Sequence, residues 1–188
     1  MKRDLNMTNE MALSMKPIET ARILIVDDNR SIHDDFRKIL CPPKLEALDE
    51  LEALKQGLFG GEPSAPAQVE TSIHFELDSA FQGEEAVALF RKAAVEGRPY
   101  YLAFMDVRMP PGLDGVQTID RIWKEFPYTE IVICMAFSVY SWEEVVAKLG
   151  STDRLLFISK PFEATAVKQM ALALIKKWHL GVQVREYV

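Results

Sequence analysis

Three short apolar runs in this chain each end on charge. Ile23-Leu24-Ile25-Val26 runs into the acid pair Asp27-Asp28, Tyr100-Tyr101-Leu102-Ala103-Phe104-Met105 into Asp106, and Leu155-Leu156-Phe157-Ile158-Ser159 into Lys160-Pro161. Short apolar runs of this kind are the pattern of strands buried on both faces of a parallel sheet. If the three strands are neighbours, three carboxylates and one ammonium converge at one edge. Such a set suits Mg²⁺, which takes oxygen from one or two carboxylates and completes its shell with waters and a phosphate. Asp28 and Asp106 would supply the ligating oxygens, with Asp27 one shell further out. A carboxylate is also a nucleophile that can form an acyl phosphate, and Lys160 would neutralise phosphoryl oxygens as a point charge. One aspartate at a strand end is ordinary, because aspartate starts turns and caps helices. The complete set on three strand ends is the informative feature.

The elements that would carry these groups alternate along the chain. The patterning predicts strands over 23–26, 73–77, 101–106, 130–135 and 155–158. It predicts helices over 31–40, 83–96 and 116–126, stopped by Pro42-Pro43, Gly97 and Pro127 respectively. A fourth helix opens at Ser141, in a capping box with Glu144, and ends at Gly150. A fifth carries Val167, Met170, Ala171, Leu174, Ile175 and Trp178 on one stripe, with Gly181 as its stop. Apolar strands alternating with amphipathic helices mean a parallel sheet covered on both faces. Ligands of such sheets bind beyond the carboxyl ends of the strands, at the topological switch point. The charged groups all fall at carboxyl ends.

Length and composition fit one domain with additions: an extension over 1–20, a domain over 21–180 with an insert at about 41–72, and a tail over 181–188. Of the 188 residues 48% are hydrophobic, enough for a real core, and the formal net charge of −6 argues against broad nucleic-acid binding. Cys41 and Cys134 are far apart and read as free thiols, Cys134 inside an apolar strand. Neither a signal-peptide core nor a run of membrane-spanning length is present, so a cytoplasmic protein is expected. His33, His74 and His179 lack metal-ligand spacing and read as surface or structural residues. Arg91-Lys92 and Lys176-Lys177 read as solvated helix ends.

The insert exceeds the usual loop of about 2–6 residues. Ala47, Leu51, Leu54 and Leu58 have helical spacing, so a short amphipathic helix is expected over 45–56. Gly57, Gly60 and Gly61 stop it, and Glu62-Pro63-Ser64-Ala65-Pro66-Ala67 is linker-like. The first helix returns the chain to the amino edge of the sheet. The insert therefore emerges away from Asp106, as a tolerated elaboration or a partner-docking helix, and not as a lid on the site.

In this order, Ile23-Leu24-Ile25-Val26-Asp27-Asp28, Met105-Asp106-Val107-Arg108-Met109-Pro110, Leu113-Asp114-Gly115 and Lys160-Pro161-Phe162 resemble the receiver domain of two-component response regulators. Ala80-Phe81-Gln82-Gly83-Glu84-Glu85-Ala86 is similar to the segment that opens the family's second helix. The resemblance covers about 21–178, apart from the insert. It implies a flavodoxin-like five-stranded α/β fold of strand order 2-1-3-4-5, and a cis Lys160–Pro161 bond. It implies that Asp106 accepts a phosphoryl group from a histidine kinase or phosphotransfer protein, with Lys160 on the phosphoryl group. Mg²⁺ would be held by the side chains of Asp28 and Asp106, by the Arg108 backbone carbonyl, and by Asp27 through water. Signalling would pass through the face of the fourth helix, fifth strand and fifth helix, where a homodimer would also form. Tyr140 and Trp142 lie in that region.

Three departures from the family pattern follow. Met135 stands where a threonine or serine is usual, before Ala136, whose backbone N–H remains for the phosphoryl group. A thioether cannot donate a hydrogen bond, and Ser138 is a speculative substitute. The aromatic switch position on the fifth strand is Phe157, a ring without a hydroxyl. The loop after Asp106 is one residue longer than usual, which Gly112 would absorb in a conformation other residues avoid. The third departure is the insert.

Competing readings remain. Met135 and Phe157 motivate a phosphorylation-independent interaction module. The chain could also be the receiver part of a larger signalling enzyme, such as a sensor kinase. A phosphoester hydrolase usually wants an acid two residues after the nucleophile, where this chain has Arg108. No helix-turn-helix follows the fifth helix, so direct DNA binding is not expected.

Overall fold

The structure is a computed structural model, and it describes residues 18–42, 73–136 and 142–186. The elements are β1 (Thr20–Val26), α1 (Arg30–Leu40), β2 (His74–Ala80), α2 (Gly83–Val95), β3 (Leu102–Asp106), α3 (Gly115–Glu125), β4 (Glu130–Met135), α4 (Trp142–Leu149), β5 (Leu155–Ser159) and α5 (Ala164–Glu186). The strands form one parallel sheet of order β2-β1-β3-β4-β5. This is the flavodoxin-like arrangement that the resemblance implies.

Alternation along β1 explains why the sheet is apolar on both faces. Leu24 and Val26 pack with α2, α3 and α4, through Phe90, Ile119, Ile122 and Val145 among others. Ile23 and Ile25 pack with α1 and α5, through Phe36, Val167, Leu174 and Ile175. Successive side chains of a strand point to opposite faces, so a strand covered on both sides must be apolar throughout. Trp178 stays at the edge of this core, stacked on Tyr101 with ring centroids 4.2 Å apart.

Helix starts follow local chemistry. The Asn29 side chain accepts the Ser31 N–H at 3.0 Å and caps α1, a contact of about 1 kcal/mol. Asp114 and Gln117 form a reciprocal capping box at the start of α3. Gly97, at φ +67°, closes α2 in the left-handed conformation a glycine stop requires.

Three boundaries depart from the patterning. β1 opens at Thr20 and not at Ile23, because Thr20, Ala21 and Arg22 pair in register with His74, Phe75 and Glu76. β2 runs on to Ala80, because Asp78 and Ser79 pair in register with Leu24 and Ile25. β2 is an edge strand, and its polar residues conceal the signal; Asp78 takes the Arg22 guanidinium at 2.5 Å. Helix α5 runs through Gly181 to Glu186. A glycine inside a helix costs only about 1 kcal/mol relative to alanine, too little by itself to end a helix of 23 residues.

The residues flanking the insert sit at the amino edge. The Cys41 thiol donates to the Phe75 carbonyl at 3.1 Å, and the His74 N–H donates to Glu19 at 2.8 Å. The helix expected over 45–56, most of the 1–20 extension, Ser138, Tyr140 and the Ser141 cap lie outside the described residues. Both cysteines are free thiols. Among the described residues no helix is long and apolar enough to cross a membrane.

Candidate functional site

Asp106 is the last residue of β3, and Asp27 and Asp28 follow directly on β1 next to it. Lys160 follows β5, two strands away from β3, and its N–H donates to the Met135 carbonyl at 2.8 Å. Its long side chain spans the gap. The ammonium stands 2.6 Å from Asp27 Oδ2 and 3.0 Å from Asp106 Oδ1. The Lys160–Pro161 bond is cis, as is Pro110–Pro111. The four charged groups read from the sequence are therefore one cluster.

Asp27 is the anchor of this cluster. It is 2% exposed, and every oxygen it carries has a donor. Oδ2 accepts from Lys160 at 2.6 Å, Oδ1 from the Asn29 N–H at 2.9 Å, and the main-chain oxygen faces His33 Nε2 at 2.8 Å. Asp28 is exposed and has no partner among the described residues. Oxygens of Asp27, Asp28 and Asp106 lie within 4.8 Å of one another. A hard oxygen set of this size fits Mg²⁺, with Asp28 unpaired among the described residues and Asp106 held by Lys160 through Oδ1.

The electrostatics agree with that division. Burial pushes the Asp106 carboxyl above the usual carboxylate range and the Asp27 charge adds to the rise, while Lys160 holds it back. Burial works to lower the Lys160 ammonium, but the hydrogen bond to Asp27 and the charges of Asp106 and Asp27 raise it above its ordinary value. The lysine is thus a held cation, and Asp106 is a carboxylate short of compensation.

Beside these groups lies an open pocket of about 160 Å³, lined by Asp106, Val107, Arg108, Met135, Ala136 and Lys160. Phe157 is not part of its lining. It packs on the same face of the sheet as Met135, against the cluster that includes Val145 of α4. Met135 and Phe157 are therefore near neighbours on β4 and β5, one lining the pocket and one behind it.

The loop between β3 and α3 is held by residues the sequence did not single out for this purpose. The Gln82 amide donates to the Pro110 carbonyl at 3.2 Å, and the Glu84 carboxylate accepts the Leu113 N–H at 3.3 Å. Gly112 does not absorb the extra residue in a left-handed conformation; among the described residues positive φ occurs at Gly97 and Gly150. Its lack of a side chain leaves room for Glu84, whose Oε2 is 2.5 Å from where a β-carbon would sit. Pairings across almost thirty residues leave no periodic signal. Of the two expected roles for His33, surface or structural, the structural one holds: it is buried, with its ring 4.6 Å from that of Phe81.

No protein-family model matches the chain, and no curated protein matches it by sequence. Solved structures do match. The receiver domain of NtrX from Brucella abortus is 25% identical, with a TM-score of 0.52 over 82% of this chain and 98% of that one. A longer NtrX structure, described in complex with ATP, is 25% identical with a TM-score of 0.58; the match covers 89% of this chain and 29% of that one. A CheY-like response regulator receiver domain protein from Methanospirillum hungatei JF-1 is 19% identical, with a TM-score of 0.56 over 86% of this chain and 98% of that one. A doubly wound five-stranded sheet carrying an acidic cluster at its carboxyl edge defines the class. Within that class, the fold is that of a response-regulator receiver domain.

Proposed function

We propose that this chain is a phosphoryl-accepting receiver module of a two-component system, with Asp106 as the acceptor. The observation that carries the reading is the Lys160 ammonium bridging Asp27 and Asp106 at 2.6 and 3.0 Å, beside an open pocket. In the transfer step an Asp106 carboxylate oxygen attacks phosphorus, forming an O–P bond. The P–N bond to the donor histidine breaks, and its electron pair stays on the imidazole nitrogen, which takes up a proton. Lys160 faces the phosphoryl oxygens, and the Ala136 N–H donates to one of them. Mg²⁺, when bound, offsets the negative charge of the incoming group. Asp28, Asp106 and the Arg108 carbonyl would hold it, and Asp27 would act through water. The chain is a switch and not a turnover enzyme, catalysing only its own phosphorylation and dephosphorylation.

The donor is a histidine kinase or phosphotransfer protein. A groove of about 260 Å³ beside Lys160, lined by Ile32, Ile39, Pro161 and Phe162 with Asp35 and Lys38, offers apolar ground for a helix next to the acceptor. Output passes through the face of α4, β5 and α5, which could also form a homodimer, to a protein partner without direct DNA contact. The protein works in the cytoplasm. NtrX extends well beyond the portion matched here, so an output domain elsewhere in a longer gene product belongs to this proposal.

A second reading, a phosphorylation-independent interaction module, is favoured by Met135, which puts a thioether where the pocket would otherwise offer a hydroxyl donor. One experiment separates the two. The chain is incubated with acetyl phosphate and Mg²⁺ and its intact mass is recorded. The proposal expects a species heavier by one phosphoryl group, absent in Asp106→Asn. No such species, under conditions that label a control receiver, favours the second reading.

A further inference from the structure

We infer that His33 is a positioning residue for the Asp27-Asp28 acid pair, an inference that rests on the reading of these acids as part of an Mg²⁺-assisted phosphoryl-acceptor site. His33 lies in the first turns of α1 and is 2% exposed. Its Nε2 is 2.8 Å from the main-chain oxygen of Asp27. A carbonyl only accepts, so Nε2 carries the proton in this contact. The oxygen belongs to the peptide unit joining Asp27 to Asp28. Fixing that plane fixes where the Asp28 N and Cα sit, and leaves only rotation about the N–Cα bond to aim its side chain.

The two acids differ in how much else holds them. The Asp27 N–H donates to Ala80, and its carboxylate is held by Asn29 and Lys160. Asp28 has no side-chain partner among the described residues, so its placement depends on its main chain. Among those residues, His33 is the side chain that bonds the intervening carbonyl. The ring is itself braced by Phe81 at 4.6 Å, and the Arg30 guanidinium sits 5.0 Å from the Phe81 ring centroid.

A purely space-filling role fits poorly. His33 Nδ1 is buried without a partner, a penalty that an apolar side chain of similar size would avoid. Burying a ring with one of two polar atoms unsatisfied is understandable where the other makes a bond the site needs. Groups that orient metal ligands from behind commonly change metal affinity by about 10-fold or more when removed.

The test is Mg²⁺ titration by calorimetry on the full chain and two variants, His33→Gln and His33→Met. Glutamine keeps an N–H donor near the Nε2 position; methionine fills the space without one. The inference expects affinity indistinguishable from wild type for glutamine and about 10-fold weaker for methionine, with both folded by circular dichroism. Wild-type affinity in a folded methionine variant, or equal losses in both, overturns it. If the methionine variant does not fold, ¹⁵N spectra of the metal-free wild type decide: an Nε2–H tautomer at His33 supports the inference and an Nδ1–H tautomer overturns it. A wild type that binds no Mg²⁺ overturns the underlying reading, and is distinguished by failing before any variant is compared.

Discussion

Gly115 packs so closely on Asp106 that a β-carbon at position 115 would overlap the Asp106 carbonyl oxygen and crowd the Val107 Cα. Its N–H also donates to the Val107 carbonyl at 2.9 Å. The first residue of α3 is therefore built against the end of β3, at the residue proposed as the phosphoryl acceptor. Backbone, unlike a flexible side-chain tip, cannot yield cheaply. Gly115→Ala is expected to destabilise the fold by about 2 kcal/mol, as overpacking at a tight contact does, and to lower phosphorylation of Asp106. Urea unfolding followed by the mass assay checks both.

Mg²⁺ should stabilise the protein. A ligand that binds only the folded state adds about 2.7 kcal/mol at a hundredfold excess over its dissociation constant. Asp28→Asn removes a carboxylate proposed as a Mg²⁺ ligand, one that pairs with nothing else described. It is expected to abolish the rise in Tm on adding Mg²⁺, while leaving metal-free stability unchanged or slightly raised, since like-charge repulsion is relieved. Thermal melts in EDTA and in Mg²⁺ measure the difference; an equal Mg²⁺ response in the variant contradicts it.

Met135 lines the pocket and Phe157 lies behind it on the same face. Met135→Thr introduces a hydroxyl at the pocket without disturbing the strand, where β-branched residues are well accommodated. The expected cost is about 1 kcal/mol from lost packing. Phosphorylation yield should be unchanged, while amide shifts on β5 and α4 upon phosphorylation should grow. Identical shift changes in wild type and variant would show that the hydroxyl is not the missing coupling element.

Alkaline pH should weaken the fold in part through Tyr100. Its ring is 2% exposed, its hydroxyl donates to Asp78 at 2.8 Å, and the Arg22 guanidinium lies 4.6 Å from the ring centroid. Burial, followed by the Asp78 hydrogen bond, pushes the phenol well above its ordinary 10.0. The folded protein thus keeps a proton that the unfolded chain releases near pH 10. This contribution is full below that pH and is lost as pH rises toward the folded value. Lys160, raised above its ordinary 10.5, contributes with the same sign. Tyr100→Phe should flatten the fall in unfolding free energy above pH 10, at a neutral-pH cost of about 1 kcal/mol for the lost hydrogen bond. Denaturant titrations across that range test the slope.

What the sequence made legible depended on how local each signal was. Asp27, Asp28, Asp106 and Lys160 could be grouped because apolar runs mark strand ends, and parallel strands present those ends at one edge. The lengthening of β2 to Ala80 was hidden, because an edge strand may carry Asp78 and Ser79 without losing its ladder. Gly181 reads as a stop because glycine is common at helix ends, but its cost inside a helix is small and α5 continues past it to Glu186. Gly112 reads as a backbone device, whereas its φ is not positive and Glu84 occupies the space beside it. His33 was invisible as part of the site, since its partner is a main-chain oxygen and main-chain atoms have no sequence signature.

The bridge that Lys160 makes between Asp27 and Asp106 also sets a charge balance. Three carboxylates and one ammonium leave the cluster with two formal negative charges when all are ionised, which one divalent cation would cancel. A phosphoryl group arriving with its own charge would then meet neutral ground. Cation and phosphoryl group would in this sense be coupled through the charges of four side chains, each favouring the other.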